Sequence, residues 1–272
     1  MKNTVFNPRP SDAPEVAALA AIHRTNPIDC AGHRDVISRY VSLGGALYAY
    51  GISQEKAMAD AAALREKGIF FMPVSDEKDI RNSLPLGVFC RTAGLKDGVS
   101  RAVAVVGTRD MSPYGKAVAD DIVRDLPEDT ILAASLSPGV GAHVIGAALQ
   151  CGKPVMAVMA TSLDGDVYPS SLTSLAERVA TTPGCILASP FVGDVELLAI
   201  SFFPKNRILA LADEVIVVES KQKGGSLVTA RTAYDYGRDV YAVPGRLDDV
   251  RSRGCLELIA GGIAKPYLSR DI

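Results

Sequence analysis

The chain has 272 residues, of which 48% are hydrophobic and 22% charged, and this is typical of a globular protein with room for one large and one smaller domain. Its formal net charge of −2 argues against a strongly basic nucleic-acid-binding domain, although residues 203–265 carry 10 basic against 8 acidic residues. Five widely spaced cysteines without a CxxC pair fit a reducing cytosol and disfavour disulfides or a zinc site, so we expect a cytoplasmic protein without a bound metal.

Residues 1–68 predict a small helical N-terminal domain. Three segments carry helical patterns: Val16–Ile22 after the capping pair Asp12 and Glu15, Arg34–Ser42 ending at Gly44 and Gly45, and Ser53–Lys67, with Ser53 as N-cap and Gly68 as terminator. Residues 69–100 contain two short apolar runs, Ile69–Val74 and Leu86–Cys90, on either side of a charged stretch. We interpret residues 69–100 as a connecting segment.

Residues 101–272 alternate between short apolar runs and segments of helix length. The runs are 102–106, 131–135, 154–159, 185–189, 214–220 and 239–243, and the helical segments are Pro113–Leu126, Val140–Cys151, Ser171–Thr181 and Ser226–Gly237. The runs are apolar in both phases, as in strands that are covered on both faces, and parallel neighbours need crossover helices. We therefore predict an α/β fold with a doubly wound, mostly parallel, Rossmann-like sheet.

In such a sheet, ligands bind beyond the carboxyl ends of the strands, so the loops after the strands hold the candidate binding residues. In the first loop, Gly107 permits a tight turn, and Thr108 and Arg109 lead towards a helix whose first amides can face an anion. Arg109 adds a bidentate phosphate donor. A plain strand–helix turn with a surface arginine is the alternative interpretation.

The second candidate loop follows the apolar run 214–220 and contains two adjacent glycines. Its candidate residues are Lys221, Lys223, Gly224, Gly225, Ser226 and Thr229. The glycines expose backbone amides, the serine is placed to cap the next helix, and the lysines add positive charge. The pattern resembles a phosphate-binding nest but contains no Walker A motif, and an ordinary Gly-Gly connector has the same sequence.

The third candidate segment is FFPKNR at 202–207, where Lys205, Asn206 and Arg207 follow two phenylalanines. Cations beside aromatic faces suit a single strand of nucleic acid, whose phosphates meet the charges while its bases stack. Core phenylalanines beside two solvated cations are the alternative. With the predicted topology, all three segments meet at one edge of the sheet.

These segments, in this order, resemble one known family. VAVVGTR, ASLSPGVGAH, YPSSL, FPKNRILALADEVIVVES, KGGSLVTA, YGRDVYAVPG and SRGCLELIAGG are similar to the signature of the DNA-processing protein A (DprA/Smf) family over about residues 86–270. The resemblance implies an extended Rossmann fold, a homodimer, binding and protection of single-stranded DNA, and loading of the recombinase RecA in natural transformation. With Lys223 added for its charge, the implied DNA and phosphate contacts are Gly107, Thr108, Arg109, Lys205, Asn206, Arg207, Lys223, Gly224, Gly225, Ser226 and Thr229.

The chain departs from the family pattern in one stretch. Where the family has S-G-L-A-x-G-I-D-x-x-A-H, Gly141 replaces the aspartate and Ile145 the histidine. His143 lies two positions before the family histidine, and we expect a structural role for it. Because the chain ends at Ile272, we expect it to lack the C-terminal winged-helix module of many relatives.

No hydrolytic constellation is evident, so we predict a binding protein that is not an enzyme and has no cofactor. A LOG-type phosphoribohydrolase has a similar Gly-Gly loop, but the first acid after Gly225 is Asp235, too distant for its carboxylate. A sensor of a nucleotide-derived small ligand would use the same glycine loops and is the main alternative. The uncharged stretch 130–152 is interrupted by serine, proline and glycine, and the first lysine precedes no apolar run, so we expect neither a membrane span nor a signal peptide.

Overall fold

A computed structural model describes residues 13–25, 43–74, 86–198 and 201–268. Within these ranges, nine strands form one sheet in the order β1-β2-β6-β5-β4-β3-β7-β8-β9. The strands are β1 Phe70–Pro73, β2 Gly87–Arg91, β3 Arg101–Val106, β4 Thr130–Ser135, β5 Val155–Val158, β6 Ile186–Ser189, β7 Glu214–Val217, β8 Asp239–Ala242 and β9 Lys265–Pro266.

Helices cover the sheet and connect its parallel strands. They are α1 Pro14–Thr25, α2 Leu43–Ala49, α3 Gln54–Glu66, α4 Pro113–Asp125, α5 Val140–Gln150, α6 Thr173–Thr181, α7 Phe202–Leu209, α8 Gly225–Asp235 and α9 Arg253–Ala260. None of the helices in the described part of the chain combines the length and apolar character needed to cross a membrane.

The predicted doubly wound parallel sheet is confirmed. The six apolar runs correspond to β3–β8, and β3 pairs in parallel with β4 on one side and with β7 on the other. Side chains alternate along β3: Val103 and Val105 join one hydrophobic cluster, whereas Ala102 and Ala104 join the other. This alternation follows from the period of two in a strand, and it shows why both phases of the run are apolar.

The two clusters lie on opposite faces of the sheet. Buried residues of α4, α5 and α6 share one cluster with residues of the N-terminal helices, such as Ile22 and Leu64. Buried residues of α7, α8 and α9, such as Leu209 and Leu258, form the other. The fold is therefore a three-layer α/β/α arrangement in which the N-terminal helices extend one helical layer.

The segment interpreted as a connection, residues 69–100, contributes two strands to the sheet. Strand β1 pairs antiparallel with β2, and β2 pairs antiparallel with β6. Because adjacent antiparallel strands need no crossover helix, this part of the sequence lacks the alternation that identified the other strands. The domain boundaries at residues 68 and 100 stay predictions.

The N-terminal helices agree with the sequence patterns in part. Ser53 accepts a hydrogen bond from the Lys56 amide at 3.1 Å, and Gly68 has a φ of +71°, so the predicted cap and terminator of α3 are confirmed. Gly44 and Gly45, predicted as a helix stop, instead lie inside α2. Helix α2 buries its Ala46 and Leu47 in the core, and this packing overrides the weak helix propensity of glycine. The predicted helix Arg34–Ser42 and the capping residue Asp12 lie outside the described residues.

Candidate functional site

The segments that follow β3, β4 and β7 surround a cavity of about 390 Å³. The chain continues from β3 to β4 on one side, while β7 lies on the other, so the connections after β3 and β7 diverge and leave a crevice between them. Of the eleven residues implied as DNA or phosphate contacts, nine line this cavity: Gly107, Thr108, Arg109, Lys205, Asn206, Gly224, Gly225, Ser226 and Thr229. The three segments therefore meet at one edge of the sheet, as predicted.

Two predicted residues lie outside the cavity lining. Arg207 is half-buried on α7, and Lys223 is exposed in the loop before α8. Residues two apart on a helix are separated by about 200° of rotation, so Arg207 faces away from the cavity that Lys205 lines. Contacts of Arg207 and Lys223 with DNA stay predictions.

The loop after β3 is held by its backbone. The Thr108 amide donates to the Glu219 carbonyl at 2.7 Å, and the Thr108 carbonyl accepts from the Val140 amide at 3.1 Å. A Cβ atom on Gly107 would lie 2.6 Å from Val140 Cγ2, so only glycine fits at this close approach of the loop to α5. Arg109 is thereby fixed at the edge of the cavity by a loop that is hydrogen-bonded on both sides.

Glu219 supports this loop, and sequence reasoning missed it. Its side chain is 2% exposed, and its carboxylate accepts hydrogen bonds from the Ser112 amide at 2.9 Å and the Ser112 hydroxyl at 2.5 Å. Ser112 in turn accepts from the Gly115 amide and caps α4. The only sequence signal was an acid just after the apolar residues 215–218, because the partner serine lies 107 residues away.

The loop after β7 presents the start of α8 to the cavity. Gly224 is the N-cap of α8, and it makes no capping hydrogen bond through a side chain. Ser226, expected to cap the helix, lies inside its first turn and donates instead to the Ser220 hydroxyl at 2.8 Å. The Gly224 amide donates to the Lys221 carbonyl at 2.9 Å. The first amides of a helix have no partner within it, so Gly225 and Ser226 bring a partial positive charge to the cavity wall.

The segment FFPKNR was interpreted as a loop, but it forms α7. Pro204 is the third residue of the helix, where proline is tolerated because the missing amide has no partner in the first turn. Phe202 then lies beneath two cations: the guanidinium carbon of Arg109 is 5.6 Å, and the ammonium of Lys205 5.5 Å, from its ring centre. One aromatic ring thus contacts both Arg109 and Lys205.

Lys205 is a buried cation with an altered pKa. Lys205 is only 8% exposed, and its ammonium donates a hydrogen bond to the Ser135 hydroxyl at 2.8 Å. Burial, together with the smaller effect of the positive charge of Arg109, lowers the pKa of Lys205 to about 8. An anion in the cavity would compensate both effects, because it would neutralise the buried charge and the repulsion between the two cations.

Of the two family positions that differ in this chain, one lies at the cavity and the other in the core. Gly141 lines it, and the Ser135 carbonyl approaches Gly141 so closely that a Cβ atom would overlap it. Ile145 is buried in the core. His143 makes a contact of 2.6 Å between its Nε2 and Oδ1 of Asp120 on α4, which fits the expected structural role. Within the described ranges, no group of three His, Cys, Asp or Glu side chains is placed to hold a metal ion.

The chain is similar in sequence to proteins named DprA. The family model of DNA recombination-mediator protein A matches residues 77–271. DNA processing protein DprA of Streptococcus pneumoniae is 35% identical over 171 residues, which are 62% of this chain and only 60% of that protein. DNA processing protein DprA of Bacillus subtilis is 30% identical over 219 residues, covering 78% of this chain and 72% of that protein.

Solved structures have the same fold. The X-ray structure of DprA from Streptococcus pneumoniae has a TM-score of 0.71 and 26% identity, with 96% of each chain covered. A structure of DNA processing protein A from Helicobacter pylori, described for its single-stranded DNA binding mode, has a TM-score of 0.64 and 24% identity. It covers 75% of this chain and 93% of that chain, and it supports the fold alone. Because the family model matches well over half of its residues, this chain belongs to the DNA-processing protein A family, DNA recombination-mediator protein A.

Proposed function

We propose that this protein binds single-stranded DNA by holding a backbone phosphate in the cavity between β3, β4 and β7. One observation carries the proposal: Arg109 and the buried ammonium of Lys205 converge on Phe202, opposite the amino terminus of α8. Guanidinium, ammonium and helix-start amides are the groups that bind phosphate in proteins. The buried charge of Lys205 is costly in an empty cavity and is compensated when an anion enters.

Family membership supports the same proposal. A relative of this fold, the Helicobacter pylori protein, is described with a single-stranded DNA binding mode. The family description as a recombination mediator supports the further proposals that this protein protects single strands and delivers the recombinase RecA to them. A homodimer would provide two cavities for one strand. We therefore expect a long oligothymidylate to bind much more tightly than a short one.

The setting of this activity is proposed to be the cytosol, and the protein is proposed to bind without turnover. Cys90, Cys151, Cys185 and Cys255 carry free thiols, as expected in a reducing compartment; Cys30 lies outside the described residues. The Gly-Gly loop that phosphoribohydrolases share is followed here by the hydroxyl residues Ser226 and Thr229, which line the cavity where an acid would be needed.

The size of the cavity favours one alternative. A volume of about 390 Å³ lies within the range of small-ligand pockets, so a nucleotide-derived molecule would fit. A sensor of such a ligand would use the same amides and cations for one phosphate. It would differ from a DNA-binding protein in the number of phosphates that it neutralises.

Titration across a salt series separates these functions. Labelled oligothymidylate, with single- and double-stranded competitors, is titrated with the wild-type protein and with Arg109→Ala, Lys205→Ala and Arg124→Ala. Arg124 is a matched control, because it is exposed on α4 and pairs with Asp121. For single strands, log affinity falls against log salt with a slope of about −0.7 per neutralised phosphate. We expect the first two variants to weaken binding and flatten this slope, and Arg124→Ala to match the wild type. Unchanged curves for both cavity variants would refute the site.

A further inference from the structure

The mouth of the cavity is bridged by an ion pair. Asp110 lies in the loop after β3, and Lys221 lies in the loop after β7. The Lys221 ammonium lies 3.5 Å from an Asp110 carboxylate oxygen, and the two side chains are 50% and 69% exposed, respectively. Both residues line the cavity, so the pair connects its two walls at the solvent side.

Asp110 differs in charge from its surroundings. In the described part of the chain, it is the one acid that lines the cavity, whereas Arg109, Lys205 and Lys221 are cationic. The charge of Asp110 also reaches Arg251. The pKa of Arg251 is raised mainly by its hydrogen bond to Asp249 and, to a smaller extent, by the charge of Asp110. Asp110 therefore supplies negative charge at a point where a polyanion would otherwise meet uncompensated cations.

This arrangement has a consequence for a strand that leaves the cavity. A phosphate inside is held by Arg109, Lys205 and the α8 amides, and the next phosphate along the strand meets the mouth. There Lys221 can bind it only after releasing Asp110. The release is easily reversible, because exposed ion pairs contribute about 1 kcal/mol or less. Asp110 itself would then repel the phosphate that replaced it.

We propose that Lys221 is a second phosphate-binding residue and that Asp110 occupies it in the free protein, so that the Asp110–Lys221 pair is exchanged for a Lys221–phosphate pair when DNA binds. The inference rests on the proposed function. It means that Asp110 limits the affinity for DNA and that the strand leaves the cavity through its mouth.

A double-mutant cycle on the full chain tests the exchange. Wild type, Asp110→Asn, Lys221→Gln and the double variant are titrated with labelled oligothymidylate over a salt series, after thermal unfolding has shown equal stability. We expect Asp110→Asn to tighten binding about two- to fivefold, because no carboxylate then competes with the phosphate for Lys221. We expect Lys221→Gln to weaken binding, flatten the log–log slope by about 0.7 and reduce the effect of Asp110→Asn.

Two results would overturn the inference while leaving the proposed function intact. One is that Asp110→Asn binds like the wild type, although Arg109→Ala still weakens binding. The other is that Asp110→Asn tightens binding equally with and without Lys221, which would mean general repulsion in place of an exchanged pair. If the wild type binds no oligothymidylate at any salt concentration, the proposed function fails together with the inference.

Discussion

Lys205 on α7 donates a hydrogen bond from its ammonium to the Ser135 hydroxyl at the end of β4, over 2.8 Å. The contact joins two elements on either side of the cavity and places a cation where only 8% of the residue is exposed. A serine hydroxyl is a neutral acceptor, so it orients the ammonium without cancelling its charge. The charge stays available to an anion, and it also responds to pH near neutrality.

The first prediction is that DNA affinity falls as pH rises through about 8. Phosphate binding needs the charged form of Lys205, whose pKa is lowered to about 8 mainly by burial. Affinity for oligothymidylate should be constant below pH 7 and decline above pH 8 by up to about tenfold per unit. Anisotropy titrations at fixed ionic strength measure this decline.

The matched control for this prediction is Lys205→Arg. Arginine keeps its charge throughout the pH range, so a folded Lys205→Arg variant should lose most of the decline between pH 8 and 9.5. A wild-type affinity that is constant over that range would show that Lys205 stays protonated or does not contact the phosphate.

The second prediction is that Lys205→Met stabilises the free protein while it weakens DNA binding. Below pH 8, the folded chain holds a buried ammonium that would be solvated in the unfolded chain. Between pH 8 and 10.5, the folded state loses this proton and the unfolded state keeps it, so the free energy of unfolding of the wild type rises with pH in that window. The difference between the two pKa values corresponds to a cost of about 3 kcal/mol at neutral pH.

Urea denaturation at pH 7 and pH 10.5 measures this difference. Lys205→Met should unfold with a free energy about 1–3 kcal/mol above the wild type at pH 7, and the gain should shrink towards pH 10.5. Lys153→Met is the control, because Lys153 is equally buried but donates to the Leu126 carbonyl at 2.5 Å and lies 3.5 Å from Glu128. Removing that donor should cost about 1–3 kcal/mol. If both variants were destabilised alike, the burial of Lys205 would carry no cost.

The sheet could be predicted because its strands are buried on both faces. The runs at β3–β8 stand out as apolar in both phases, and the glycine loops after β3 and β7 mark the edge where ligands bind. Strands β1 and β2 were not predicted, because a short apolar run without neighbouring helices lacks the strand–helix alternation that identified the others. Helix α7 was not predicted, because Pro204 indicates a loop unless the start of the helix is known.

The site was predictable where it depends on local sequence and hidden where it depends on distant contacts. Gly107, Arg109 and Gly224 lie in the loops after β3 and β7, so strand order alone brings them together. The support of Ser112 by Glu219 spans 107 residues, and the contact between Lys205 and Ser135 spans 70. Neither pairing leaves a pattern in the sequence. The rotation of α7 that separates Lys205 from Arg207 became evident only once the segment was known to be a helix.

The third prediction distinguishes two glycines of the cavity. A Cβ atom on Gly107 would lie 2.6 Å from Val140 Cγ2 and 3.1 Å from the Glu219 carbonyl oxygen, whereas one on Gly225 would have no atom within 4 Å. Gly107→Ala should therefore destabilise the fold by about 1–3 kcal/mol through overpacking and also weaken DNA binding. Gly225→Ala should change the free energy of unfolding by about 0.5 kcal/mol or less.

Binding by Gly225→Ala then reports on the start of α8 alone. The added methyl group would lie in open space on a residue that lines the cavity, beside the amides proposed to face the phosphate, so we expect weaker oligothymidylate binding at unchanged stability. Thermal unfolding and anisotropy on the same samples separate the two effects. If Gly225→Ala bound like the wild type, the phosphate would not approach the start of α8, and the contacts with DNA would be confined to Arg109, Lys205 and the mouth. A loss of binding without a loss of stability is thus the signature that a ligand, rather than the fold, requires glycine at this position.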